Sequence, residues 1–348
     1  LYIMPFFISR YPEVAKSILM YRYRRIDEAK RYAKKHGYEG AMFPWQSGSS
    51  GREETQVVHL NPISGEWGED YSSLQRHISI AIAYNIWQYY QITNDHEFMN
   101  KCGAEMFFEI CRFWASKALF DEKSDKYSID KVMGPDEFHE KLPDDEEGGL
   151  KDNAYTNLMV VWCMDRAFDI LEQLDINERK NIVGEIDLSK EELVKWKELT
   201  MKTKLHFNED MIIEQFEGYF DLKELDWDAY KEKYDDIHRM DRILKAEGNS
   251  PDEFKVAKQA DTLMTYYNVD PEEVDDIISD LGYEYDINRL KHNFDYYLKR
   301  TSHGSTLSRV VHAYLAKLAN ENYLCWDLYH DALESDFVDI QGGCFHQA

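Results

Sequence analysis

Val132-Met133-Gly134-Pro135-Asp136-Glu137-Phe138-His139 separates two long segments of helical patterning. Pro135 fixes its own φ and pushes Gly134 out of the helical region, so the turn is stiff and the backbone aims Asp136 and Glu137. A stiff turn suits an acid that must meet one oxygen, which makes Glu137 the candidate catalytic acid. The same residues also read as a helix start, with proline at the first helical position and two acids favoured there by the macrodipole.

Outward from this turn the chain reads mainly as helices. From Tyr11 to Gly37, Val14, Ile18, Tyr21, Ile26, Ala29 and Ala33 recur near helical spacing, which predicts one amphipathic helix stopped by Gly37. Leu74 to Ile92 and Phe98 to Leu119 read as an αα-hairpin. Between them, Gly40 to Glu54 is too rich in glycine and serine for a helix and too aromatic for an idle loop, so a binding role is expected. Downstream, Pro143 to Glu147 reads as solvated acidic surface, and Asp152 as the cap of a helix carrying Leu158, Val161, Phe168 and Leu171. Ile186 to Asn249 is highly charged and weakly patterned, with Met211 to Phe216 as a short strand or extended piece. Helical patterning resumes from Pro251 through Leu263, after Pro271, over Leu307 to Leu318 and over Tyr323 to Leu333. Without βαβ alternation, this predicts an all-α fold of antiparallel helix pairs with minor short β segments.

Composition narrows the partners. The 348 residues carry 66 acidic against 41 basic side chains, a net charge of −25. That excess argues against nucleic acid or an anionic membrane and leaves a small or neutral ligand. Five scattered cysteines give neither a zinc spacing nor a disulfide framework, and no His-Glu-x-x-His or similar pattern suggests a metal. No apolar run reaches the length of a membrane span and no secretion signal opens the chain, so a cytoplasmic location is expected. Leu1 in place of a starter methionine suggests a fragment.

Four ordered stretches add a resemblance: Phe43-Pro44-Trp45, the Gly134-Pro135-Asp136-Glu137 turn, Lys258-Gln259-Ala260-Asp261, and His303-Gly304-Ser305-Thr306-Leu307-Ser308. In that order they resemble the inverting disaccharide phosphorylases of glycoside hydrolase family 65, over Tyr21 to Gly343. The resemblance implies an (α/α)6 barrel, a toroid of antiparallel helix pairs. It also implies that residues 1–348 are one catalytic barrel domain truncated at both ends, without the family's β-sandwich and C-terminal β domain. Its reaction would be phosphorolysis of an α-glucosyl disaccharide to β-glucose 1-phosphate and a free sugar, with inorganic phosphate as co-substrate and no cofactor.

By the same resemblance Glu137 is the general acid, and Lys258, Gln259, His303, Ser305 and Thr306 hold phosphate across the donor sugar from it. Trp45, Gln46 and His139 contact sugar, and a homodimer is compatible. Arg300 and Arg309 flank the phosphate stretch as a local positive patch. Each residue also has a plainer reading: Ser305-Thr306 as an N-cap, Lys258 as a solvated helix lysine, His139 as an interior histidine and Trp45 as core. Two other functions fit the motifs, an inverting trehalose-type hydrolase and a carbohydrate-binding fragment without catalysis.

Overall fold

The computed structural model describes residues 3–334, and these are mainly helical. The closing stretch Asp339 to Gly343 lies outside them. Ile78–Thr93 buries Ile80, Ile82, Ala83, Ile86, Trp87, Tyr89 and Tyr90, apolar contacts around much of its circumference, and it stops at Asn94 in the left-handed region (φ 51°). Ala104–Lys117 packs against it, as the expected hairpin requires. Next to Ile78–Thr93 stands Ala154–Gln173, then Asp261–Asn268, then Thr306–Leu318, each packed on the one before. Ala104–Lys117, Lys190–Lys202, Pro271–Asp280 and Arg289–Leu298 pack against this row. One apolar core runs through both rows. The architecture is the all-α (α/α)6 barrel.

Four local expectations are corrected. The single helix over Tyr11 to Gly37 is two, Pro12–Tyr23 and Ile26–Lys35, because the backbone leaves helical geometry at Arg25 (φ −121°, ψ 14°). Asn153, not Asp152, caps Ala154–Gln173 by accepting from the Thr156 amide at 3.0 Å. Asp152 is instead buried at φ 50° and accepts from Ser128 Oγ, the Ile129 amide and Asn157 Nδ2. The third correction concerns Pro251 to Leu263, where one 3-10 turn, Pro251–Glu253, gives way to extended backbone until Asp261. There the amides of Lys255 and Ala257 donate to the carbonyls of Lys223 and Arg300, and the Ser302 amide donates to the Ala257 carbonyl. Neighbouring backbones thus satisfy this segment from both sides, and Val256, Ala257 and Ala260 are buried without a helix.

Lastly, Met211 to Phe216 forms no strand of its own and makes one isolated bridge, Phe207 to Ile213. The short strands lie elsewhere. β1 (Val58–Leu60) pairs antiparallel with β2 (Trp67–Glu69), and β3 (Leu119–Asp121) with β4 (Lys126–Ser128). A second small apolar cluster of Phe138, Leu225, Met240, Ile243, Leu244 and Val256 sits beneath the 220–256 excursion. It holds that excursion against the Glu137 turn.

Candidate active site

No helix starts at Pro135: the chain runs from β4 to Asn153 without one. Within this loop Glu137 has φ 67°, a left-handed backbone that is unusual for a residue with a side chain. Its surroundings hold it there. The buried Asp136 donates its amide to Asp261 Oδ1 at 2.7 Å, and its Oδ1 accepts from the amides of Lys258 (2.5 Å) and Gln259 (3.2 Å). Asp261 Oδ2 accepts from Asn153 Nδ2 at 2.7 Å. Gly134 lies so close that a Cβ there would stand 1.8 Å from Asp261 Oδ2. The distant segment over Lys258 to Asp261, itself tied to Asn153, is therefore bolted to the turn on the N-terminal side of Glu137.

The bolts are charged and dry. Burial, reinforced by the charge of Asp136, holds the Asp261 carboxyl well above the usual carboxylate range. His139 lies on the other side of Asp136, Nδ1 to Oδ2 at 3.5 Å, and its Nε2 meets the Phe254 carbonyl at 2.9 Å. Burial opposes the His139 charge, but Asp136 and Asp252 outweigh it and raise the histidine above its ordinary value. Phe216 and Tyr219 pack on its ring. Direct sugar contact is thereby corrected to the interior reading: the His139 side chain is 1% exposed.

Glu137 itself opens onto a cavity of about 640 Å³, a size suited to a disaccharide. Its Oε2 lies 2.5 Å from Lys258 Nζ, and its Oε1 accepts from Gln75 Nε2 at 3.4 Å. Trp45 and Gln46 line the same cavity with β1 and β2 residues, so the aromatic loop does reach the candidate acid. Glu53 fixes that loop, accepting from the Trp45 amide at 3.3 Å and from Tyr32 Oη at 3.0 Å. Glu140 lies on the wall too, pushed up to about 7 by burial against the pull of Lys245 at 3.1 Å.

The expected phosphate residues divide between two places. Lys258 lies against Glu137 rather than across the cavity, because its amide is tied to Asp136 beside that acid. Gln259 bridges the two groups: its Nε2 donates to the Pro135 carbonyl at 2.9 Å and its Oε1 accepts from Ser305 Oγ at 3.1 Å. Ser305 caps Thr306–Leu318 through the Ser308 amide. Thr306 opens that helix, and its side chain lies outside what is described. His303, at φ 54°, turns Nδ1 to Ser308 Oγ (3.0 Å) and lines a separate cavity beside His238. Burial, with His312, Arg309 and His238 nearby, pushes it down to about 3. Arg300 turns away to Glu224 and stacks on Tyr296, whereas Arg309 is buried beside His238.

Several residues of the site lay outside the sequence reading. Asp261 stood within a quoted motif, yet nothing in the sequence marks it as the partner of Asp136. Gln75, Asn153, Arg239, Arg242 and Lys245 were missed as well. The basic residues carried a signal, the three-residue spacing of Arg239, Arg242 and Lys245. Away from the cavity, Asp152, His206 and Glu217 bring three ligand atoms within 4.8 Å of one another, with the Lys151 ammonium 2.8 Å from Glu217.

A helical barrel with one carboxylic acid presented on a braced turn into a sugar-sized cavity matches a known class. Residues 1–347 match the glycosyl hydrolase family 65 central catalytic domain, and the chain belongs to that family. Trehalose 6-phosphate phosphorylase of Lactococcus lactis is 44% identical over 99% of this chain and 43% of that protein. Kojibiose phosphorylase of Caldanaerobacter subterraneus is 34% identical over 98% of this chain and 42% of that protein. A solved structure from the human microbiome, described as a kojibiose phosphorylase, aligns with a TM-score of 0.78 at 26% identity, covering 98% of this chain and 45% of that one. The chain thus spans less than half the length of these relatives. Among the described residues no helix is long and apolar enough to cross a membrane.

Proposed function

We propose that this chain carries the catalytic centre of an inverting glycoside phosphorylase acting on an α-glucosyl disaccharide. The observation that carries the reading is the single braced turn that presents Glu137 to the cavity with Lys258 against it. Glu137 donates its proton to the glycosidic oxygen as the bond from that oxygen to the anomeric carbon breaks. An oxygen of inorganic phosphate bonds to the same carbon from the opposite face, giving β-glucose 1-phosphate and a free sugar. Phosphate arrives already nucleophilic, so no second carboxylate is needed as base.

Lys258 is the cation within reach of both partners. Phosphate competes with Glu137 for its ammonium, so the lysine that pairs with the acid becomes a ligand of the co-substrate. Gln259 and Ser305 then connect the acid's turn to the start of Thr306–Leu318, whose free amides and dipole favour an anion. Trp45 and Gln46 contact the leaving sugar. The names of the relatives support phosphorolysis and differ in linkage and in whether the sugar is phosphorylated. A hydrolytic reading draws on Glu140, a second carboxyl on the wall that could activate water. The test incubates α-1,1, α-1,2, α-1,3 and α-1,4 glucose disaccharides, free and 6-phosphorylated, with and without inorganic phosphate. Glucose 1-phosphate formed only with phosphate is the expected result, and equal cleavage without phosphate would replace this reading by the hydrolase.

A further inference from the structure

The short helix Met240–Ala246 and its N-cap Arg239 bring Arg239, Arg242 and Lys245 to the cavity wall, three residues apart, so three cations crowd one side. Two have carboxylates. Arg239 is gripped by Asp241, Nε to Oδ1 at 2.9 Å and Nη2 to Oδ2 at 2.5 Å, and Lys245 by Glu140 at 3.1 Å. Arg242 differs: among the described residues its half-buried guanidinium makes no hydrogen bond or ion pair, and only its backbone is engaged, the amide donating to the Arg239 carbonyl at 3.0 Å and the carbonyl accepting from Asn61 Nδ2 at 3.1 Å. Burial and the neighbouring Arg239 work against its charge and outweigh the pull of Asp241, whose carboxylate Arg239 already grips. In a chain with 66 acids to 41 bases, a cation left without an acid inside a cavity calls for an anion from outside.

We propose that Arg242, flanked by Arg239 and Lys245, binds a phosphate monoester on the leaving sugar, so that the substrate is a phosphorylated α-glucosyl disaccharide. A guanidinium presents parallel N–H groups that match two phosphate oxygens, and the pairs to Asp241 and Glu140 hold its neighbours in place around it. The co-substrate phosphate is a different anion. It must reach the anomeric carbon near Glu137 and Lys258, whereas Arg242 is tied through Asn61 to the turn between β1 and β2. Assigning that side of the cavity to the leaving sugar rests on the phosphorylase reading above.

The test compares glucose and glucose 6-phosphate, both as acceptors of glucose from β-glucose 1-phosphate and as ligands by calorimetry. Wild-type protein should prefer glucose 6-phosphate in both measurements. Arg242→Ala should cut the preference by about 10- to 100-fold, the usual weight of one charge-assisted phosphate contact, and Arg242→Lys should recover part of it. Unchanged preference in Arg242→Ala, or none in the wild type, overturns the proposal. So does a rise in the KM for inorganic phosphate with the acceptor preference intact, which would give Arg242 to the nucleophile. Glucose 6-phosphate binding that depends on Arg242 without any glucosyl transfer would uphold this site and sink the phosphorylase reading instead.

Discussion

Glu137→Gln keeps the shape of the side chain and removes the proton that the proposed general acid would give. Turnover of unactivated disaccharides should fall by about 10²–10⁴, the usual worth of a general acid, while sugar binding survives. Near wild-type turnover in this variant would return Glu137 to a merely structural part. Gly134→Ala acts by volume, since its methyl would enter the Asp261 carboxylate. A loss of about 1–3 kcal/mol or more is expected from such overpacking and is measured by urea denaturation. That Gly134 stands outside helical geometry was legible from Pro135. The closeness of Gly134 to Asp261 was not, because a glycine needed for close approach looks in sequence like one needed for a turn.

At the scale of elements, the braced turn predicts a graded result at Asp136. Asp136→Ala leaves the amides of Lys258 and Gln259 without their acceptor, so it should lower both stability and kcat, each lost buried partner costing about 1–3 kcal/mol. Asp136→Asn keeps an acceptor oxygen and should recover most of the stability. Equal damage in both variants would show that the charge toward His139, not the amide contacts, holds the turn. Helices with apolar periodicity, such as Ile78–Thr93, were legible because one side chain in three or four must face the core. Pro251 to Ala260 imitated that pattern. Its Val256 and Ala257 are buried, and its Phe254 partly so, by different neighbours along an extended path, and periodicity registers burial without registering its cause. Lys258 was therefore placed on a helix when it rides a loop, which is what lets it bend toward Glu137.

The whole molecule carries a pH signature in its buried histidines. His77, His303 and His312 are pushed down to about 4, 3 and 4, chiefly by burial. In the unfolded chain each takes a proton near about 6.5, so their stabilisation is complete above that pH and is lost as pH falls toward about 4. His139, raised in the folded state, works the other way: its contribution is present below about 6.5 and is lost as pH rises through its folded value. Glu140 and Asp261, also raised in the folded state, oppose the three lowered histidines as His139 does, so the comparison is with a variant: between pH 7 and pH 5, about the span of the histidine titration, His312→Asn should lose less unfolding free energy than the wild type. Equal changes in the two proteins would mean that the His312 imidazole titrates normally. The bolts around Glu137 have a consequence in time as well. Asp136 meets Lys258, Gln259 and Asp261 across 122 to 125 residues of chain, so the site closes only after loops of that length have closed. Helices form from local contacts in microseconds, whereas such distant pairings are slow. On refolding, far-UV circular dichroism should recover ahead of sugar binding, passing through a helical species that has a barrel and no working acid.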